Sequence, residues 1–157
     1  MDSKDIITLI AAILLCESAG IIGSLFTFSE IPTWYASLEK PSFNPPSWVF
    51  GPAWTTLYAL MGVSLYLVWK ERKKADIKVA LAFFSAQLIL NTIWSILFFG
   101  LHSPILGLAC IILLWLSIAA TIIYFYKISR NAAYLLIPYI LWVSFASILN
   151  AFVWMLN

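Results

Sequence analysis

The chain is short of charge. Of its 157 residues 10% are Asp, Glu, Lys or Arg, against 63% hydrophobic, whereas a soluble domain is about a quarter charged and half apolar. So little polar surface does not coat a water-soluble globule, which leaves an integral membrane protein. Histidine occurs once and cysteine twice, too few and too scattered for a zinc-like cluster, so no metal site is expected. No nucleophile–base pair stands out either, so no catalytic residue of the ordinary kind is expected. The short alternating segments of an outer-membrane barrel are absent.

What the chain has instead is five apolar runs, 6–28, 48–69, 79–100, 105–126 and 132–156, each 22 to 25 residues long. About 20 residues at 1.5 Å rise cross a hydrocarbon core of roughly 30 Å. The expected fold is all-α. Residues 1–157 form one domain, a bundle of five transmembrane helices in the lipid bilayer, with a long Trp/Pro-rich loop between helices 1 and 2. The first run is not expected to be a signal peptide, because Asp2, Lys4 and Asp5 flank it in place of a basic cluster and it is too long.

The basic residues are unevenly placed. With five spans, the N-terminus and the connections 70–78 and 127–131 share a side. That side holds Lys4, Lys70, Arg72, Lys73, Lys74, Lys78, Lys127 and Arg130, and the other side holds only Lys40. The positive-inside rule then puts the N-terminus in the cytoplasm and loop 29–47 outside. The basic connection is read as this topology signal, with a lipid-headgroup contact as the alternative, and no nucleic-acid partner is expected. Cys16 and Cys110 differ in depth by roughly 10 Å along the membrane normal, too far for a disulfide, so two free thiols are expected.

Polar residues inside a bilayer are costly and mark a lined interior or a functional site. In "QLILNTIWSILFF", Gln87, Asn91, Trp94, Ser95 and Phe98 share one helix face at spacings of three and four. In "PYILWVSFASILNAFVW", Tyr139, Trp142, Phe145, Ala146, Leu149 and Asn150 form a second stripe. Trp54, Tyr58 and Met61 come from helix 2, and Glu17, Gly20, Gly23 and Ser24 from helix 1. Counted from the outer helix ends, most of these lie in the outer half of the membrane. The stretch "WYASLEKPSFNPPSWVFGPAW" crosses that same side with three tryptophans and four prolines, and is read as a lid over an aromatic cavity.

Structural readings stand beside these. Asn and Gln also join membrane helices by hydrogen bonds, and Gly20, Gly23 and Ser24 also suit close helix packing. Trp34, Trp48, Trp69 and Trp154 also suit interfacial anchors. Glu17 is a cavity residue, a proton-linked group, or a snorkelling or paired glutamate. Ala82 and Ala86 hint at a homodimer face. His102 is read as a solvated turn residue, with haem ligation as the alternative. Pro138 removes a backbone hydrogen bond to Tyr134 and should bend helix 5.

"WYASLEKPSFNPPSWVFGPAWTTLYALMG", "QLILNTIWSILFFG" and "PYILWVSFASILN" resemble the motifs of the tryptophan-rich sensory protein, or translocator protein, family, also called the peripheral-type benzodiazepine receptor family. The resemblance covers nearly the whole chain. It implies a five-helix bundle, commonly a homodimer, with a pocket under the first long loop. It implies binding of porphyrins such as protoporphyrin IX and haem, as ligands and not as obligatory cofactors, and of benzodiazepine-type molecules. Carried over by motif, Trp54, Gln87, Asn91, Trp142 and Ala146 line the pocket, and Trp34, Pro46 and Trp48 belong to the lid. Some bacterial relatives promote light- and oxygen-dependent porphyrin breakdown, and there the matching tryptophans are Trp54 and Trp142. Cholesterol recognition is not carried over, because no Lys or Arg follows Arg130. The full expected ligand-binding set is Trp54, Tyr58, Gln87, Asn91, Trp94, Trp142, Phe145, Ala146, Asn150, Gly23 and Ser24. The expected function is a tetrapyrrole receptor or sensor, with a porphyrin transporter or a light-dependent degrading protein as the alternatives.

Overall fold

The computed structural model describes residues 3–157. Met1 and Asp2, part of the flank considered above, lie outside the described residues. All regular elements among those described are helical. They are α1 (Ser3–Thr27), α2 (Phe50–Lys70), α3 (Lys78–Ser95), α4 (Pro104–Ile128), α5 (Arg130–Leu135) and α6 (Ile137–Leu156). Four stretches are long and apolar enough to cross a membrane: Ser3–Thr27, Lys78–Gly100, Pro104–Ile128 and Arg130–Leu156. The remaining long helix, α2, has 21 residues, but Pro52, Trp54, Thr55, Thr56 and Tyr58 make its first half less apolar.

Two features depart from the expected outline. The segment between α1 and α2 is not all loop. Ile31–Tyr35 forms a π turn, closed by the Tyr35 N–H on the Glu30 carbonyl at 2.8 Å, and Ser47–Val49 forms a 3₁₀ turn that runs into α2. The fifth apolar run is two helices. They break at Leu136, whose N–H donates to the Ala133 carbonyl at 3.1 Å. Pro138, at the start of α6, carries no N–H for the preceding turn, which accounts for the break.

The helices pack in an order set by small residues and stacked rings. α1 lies against α2 and α3, α4 against α3 and α6, and α5 against α2 and α4. A β-carbon on Gly62 of α2 would overlap the backbone of Ile13 of α1, so only glycine permits that approach. Phe84 stacks on Phe125 with centroids 5.6 Å apart, and Phe83 on Tyr124 at 5.3 Å, joining α3 to α4. Ser64 donates to the Ala132 carbonyl at 2.7 Å, tying α2 to α5. Lys70 pairs with Asp5 at 3.5 Å, so the C-terminal end of α2 meets the N-terminal end of α1. Cys16 and Cys110 are buried and free.

The exterior is apolar. Ile7, Leu14, Ile21 and Leu25 of α1 are all more than 60% exposed. Such a surface suits hydrocarbon as solvent, and the helical backbone satisfies its own hydrogen bonds there. The connection from α3 to α4 is tight. α3 ends in a π turn, Ile96–Gly100, whose extra residue lets the neighbours Phe98 and Phe99 both turn inward and be buried. His102 follows at φ 51°, a left-handed conformation that histidine tolerates better than most side chains. Ser103 then caps α4, accepting from the Leu106 N–H at 3.3 Å, with Pro104 in the first turn.

Candidate functional site

Helices α1, α2, α3 and α6, with the segment between α1 and α2, surround a cavity of about 470 Å³. Each wall is a helical stripe at spacings of three and four. α1 gives Glu17, Gly20, Ile21, Gly23, Ser24 and Thr27; α2 gives Phe50, Gly51, Trp54, Thr55 and Tyr58. Asn91, Trp94 and Ser95 of α3, with Phe98 and Phe99 of the π turn, form the third wall; Trp142, Ala146, Leu149, Asn150 and Val153 of α6 form the fourth. Phe28, Ile31, Tyr35, Ser47 and Trp48 complete it from the connecting segment.

Gly20 is required by contact. Its missing β-carbon is where the edge of the Tyr58 ring lies. A β-carbon on Gly23 would stand 3.0 Å from the Ser95 hydroxyl, so α1 and α3 also meet closely there.

The polar groups are largely bonded to one another. Tyr58 donates its hydroxyl to Asn91 Oδ1 at 2.6 Å, and Asn91 Nδ2 donates to the Tyr139 hydroxyl at 2.8 Å. Tyr139 in turn donates to Gln87 Oε1 at 2.8 Å. Asn91 thereby joins α2, α3 and α6. Higher up, Trp94 Nε1 donates to Asn150 Oδ1 at 3.1 Å, and Asn150 Nδ2 donates to the Pro104 carbonyl at 2.8 Å. Ser24, Thr27 and Thr55 donate back to carbonyls of their own helices. Trp142 is different. Its buried indole N–H has no partner, and the ring lies between Phe50 at 6.1 Å and Phe145 at 5.8 Å.

The connecting segment is fastened at several points. Tyr35 donates to Asn44 Oδ1 at 2.8 Å. Burial pushes the Tyr35 phenol up to about 12. Lys40 Nζ donates to the carbonyls of Tyr35 at 2.8 Å and Leu38 at 2.7 Å. Glu30 Oε2 and His102 Nε2 lie 2.8 Å apart, and the Trp34 ring stacks on His102 at 4.6 Å and 12°. Phe43 packs edge-on against Phe152 at 5.3 Å.

Residues 12–155 match the sequence model of the TspO/MBR family. The chain belongs to the TspO/MBR family. It is 48% identical over 153 residues to the "Tryptophan-rich protein TspO" of Archaeoglobus fulgidus, covering 98% of this chain and 99% of that protein. It is 44% identical over 143 residues to the "Translocator protein" of Homo sapiens, covering 89% and 85%. To the "Tryptophan-rich sensory protein" of Cereibacter sphaeroides it is 38% identical over 150 residues, covering 96% and 89%. Family and apolar helices together make it an integral membrane protein.

In this TspO/MBR chain the cavity brings together Gly23, Ser24, Trp54, Tyr58, Asn91, Trp94, Trp142, Ala146 and Asn150 of the expected binding set. Gln87 lies off the wall. It is buried beneath Asn91, bonded to Tyr139, with its Nε2 3.8 Å from Met61 Sδ. Phe145 faces a separate open groove, shared with Pro45, Pro138, Leu141 and Trp142. Of the three expected lid residues, Trp48 lines the cavity and is 76% exposed. Trp34 packs instead on Phe98, Phe99 and His102, and Pro46 is the extended residue before the 3₁₀ turn.

The wall residues Phe50, Gly51 and Thr55 were not among those singled out. Their spacing to Trp54 and Tyr58 is the signal that marks them. Phe28 lies just past the end of α1 but keeps its stripe, four residues after Ser24, whose carbonyl accepts from the Phe28 N–H at 2.9 Å. Among the described residues, no three His, Cys, Asp or Glu side chains cluster as metal ligands.

Proposed function

We propose that this protein is a membrane receptor or sensor for flat hydrophobic molecules. It takes porphyrins such as protoporphyrin IX and haem, and benzodiazepine-type ligands, in the cavity beneath residues 29–47. The observation that carries the proposal is that cavity: about 470 Å³, within the usual range of about 300–1,000 Å³ for small-molecule sites. The Trp54, Trp94 and Trp142 rings line it, and aromatic faces and burial supply affinity for a flat apolar ring. The unpartnered Trp142 N–H gives such a ligand one donor to meet. Two relatives are named for translocation and sensing, translocator protein and tryptophan-rich sensory protein, and the second name is in keeping with a sensor.

The same proposal has α2 crossing the bilayer as a fifth span, the basic end in the cytoplasm, and residues 29–47 outside. It includes a homodimer, with the Ala82 and Ala86 face of α3 as the candidate contact. A second reading, light- and oxygen-dependent breakdown of the bound porphyrin, is favoured by the placement of both Trp54 and Trp142 on the cavity wall.

Titration of the purified protein with protoporphyrin IX in darkness, followed by tryptophan fluorescence, tests the first reading. Saturable quenching at about one porphyrin per chain is expected, and weaker binding in the Trp54→Phe/Trp142→Phe variant. Quenching that never saturates, or is identical in that variant, removes it. Illumination of the same samples in air tests the second, which requires a porphyrin product formed over repeated turnovers and lost with both tryptophans.

A further inference from the structure

Besides the Trp142 N–H, Glu17 is the cavity group whose chemistry the rest of the site leaves unanswered. It is the only charged residue on the wall. It makes no hydrogen bond and no ion pair among the described residues. Among the described residues, no Lys, Arg or His lines the cavity. Lys40, the one basic residue of the connecting segment, is occupied by the Tyr35 and Leu38 carbonyls.

Position sharpens the point. Glu17 lies one helical turn before Gly20, where α1 meets the Tyr58 ring. It therefore stands at the inner end of the α1 stripe, 11 residues before Phe28, roughly 16 Å along the helix. The neighbouring amides and phenols do not answer it, because Tyr58, Asn91 and Tyr139 already bond to one another. A carboxylate on an apolar wall without a counter-charge is unfavourable, and a donor or cation brought by an occupant relieves it.

We propose that Glu17 is a specificity-determining residue. It makes the cavity select flat molecules that carry a cationic or N–H donor group at their inner end. It also makes the cavity turn acidic groups outward, toward Trp48. This deepens the reading of the cavity as a ligand site and rests on it.

The test uses three fluorescent tricycles of one outline: 9-aminoacridine, a cation at neutral pH; acridine, neutral; and anthracene-9-carboxylate, an anion. Each is titrated into the full-length protein in a non-ionic detergent. Binding is expected to rank cation, neutral, anion, with about tenfold between cation and neutral, equivalent to about 1.4 kcal/mol. In Glu17→Gln the cation should fall to within about threefold of acridine, and acridine should still saturate, which also reports that the cavity is intact.

Equal affinities in the unaltered protein overturn the proposal without any variant. So does a cation preference that survives in Glu17→Gln. The ranking with no saturable protoporphyrin IX binding would sink the porphyrin reading and leave Glu17 its role. Failure of all three tricycles to saturate would overturn the Glu17 proposal, and the porphyrin reading falls with it only if protoporphyrin IX does not saturate either.

Discussion

Asn157 grips the backbone of Glu39 from both sides. The Glu39 N–H donates to Asn157 Oδ1 at 3.0 Å, and Asn157 Nδ2 donates to the Glu39 carbonyl at 3.0 Å. The same Nδ2 also reaches the Val153 carbonyl at 2.8 Å, which anchors the clamp to the last turn of α6. A segment far away in sequence is thus fixed to the helix that forms one wall of the cavity.

Asn157→Ala removes both bonds, each worth about 0.5–1.5 kcal/mol. Amide hydrogen exchange in residues 38–44 should quicken on the order of tenfold, while α3 and α4 keep their protection. Unchanged exchange at Glu39 would show that the aromatic contacts of the segment hold it without the clamp.

Asn91→Ala strips the amide that joins Tyr58 to Tyr139 and leaves two buried phenols short of partners. Side-chain hydrogen bonds in membrane helices are worth about 0.6 kcal/mol each and reach about 1.7. Two of them, with the space left behind, predict a loss of about 1–3 kcal/mol, read as lowered thermal stability in detergent. Gln87→Ala breaks only one bond of the chain and should cost less in the same assay.

Two glycines of α2 should respond in opposite directions. Gly62→Ala forces a methyl group into the backbone of Ile13, an overpacking expected to destabilise by about 1–3 kcal/mol. Gly51 has nothing within 4 Å of its would-be β-carbon. Gly51→Ala should stabilise the helix by at most about 0.5 kcal/mol, because Gly51 sits in the first turn and its new β-carbon would crowd the ring of Pro52, while placing a methyl group on the cavity wall. Thermal unfolding of the pair side by side checks both signs.

The Tyr35 phenol provides a pH-dependent prediction. Burial raises its folded value from 10.0 to about 12, so the fold favours the neutral form. Its contribution is whole below about pH 10 and is lost as pH climbs from there through about 12. Stability measured across that window should fall, and Tyr35→Phe should flatten the fall. An identical slope in the variant would place the alkaline sensitivity elsewhere.

The sequence revealed the faces of the helices better than the depth at which the cavity ends. The stripe through Gln87, Asn91 and Trp94 lies on one side of α3, yet Gln87 falls one turn below the floor. Spacing fixes a residue's direction along a helix, not the depth at which the hollow stops, and Gln87 is taken up below it by the Tyr139 hydroxyl. Phe145 shares its helix with Trp142 but turns to the outer groove, because a wide stripe covers more than one neighbour. Proline and tryptophan content marked 34–54 as unusual. It did not reveal that Ile31–Tyr35 would close as a π turn and send Trp34 onto His102. That contact depends on Glu30 and the α3–α4 turn, which lie far apart in the chain, and the Asn157 clamp likewise joins distant segments, Glu39 and the end of α6.

The chain of hydrogen bonds from Tyr58 through Asn91 and Tyr139 to Gln87 has a consequence for what the chamber tolerates. Because those groups already satisfy one another, a guest need not match a lattice of donors and acceptors to settle there. On the proposed ligand role, admission would be governed by outline and thickness, a standard that many unrelated planar compounds meet. Discrimination among them falls to the few groups left without a partner.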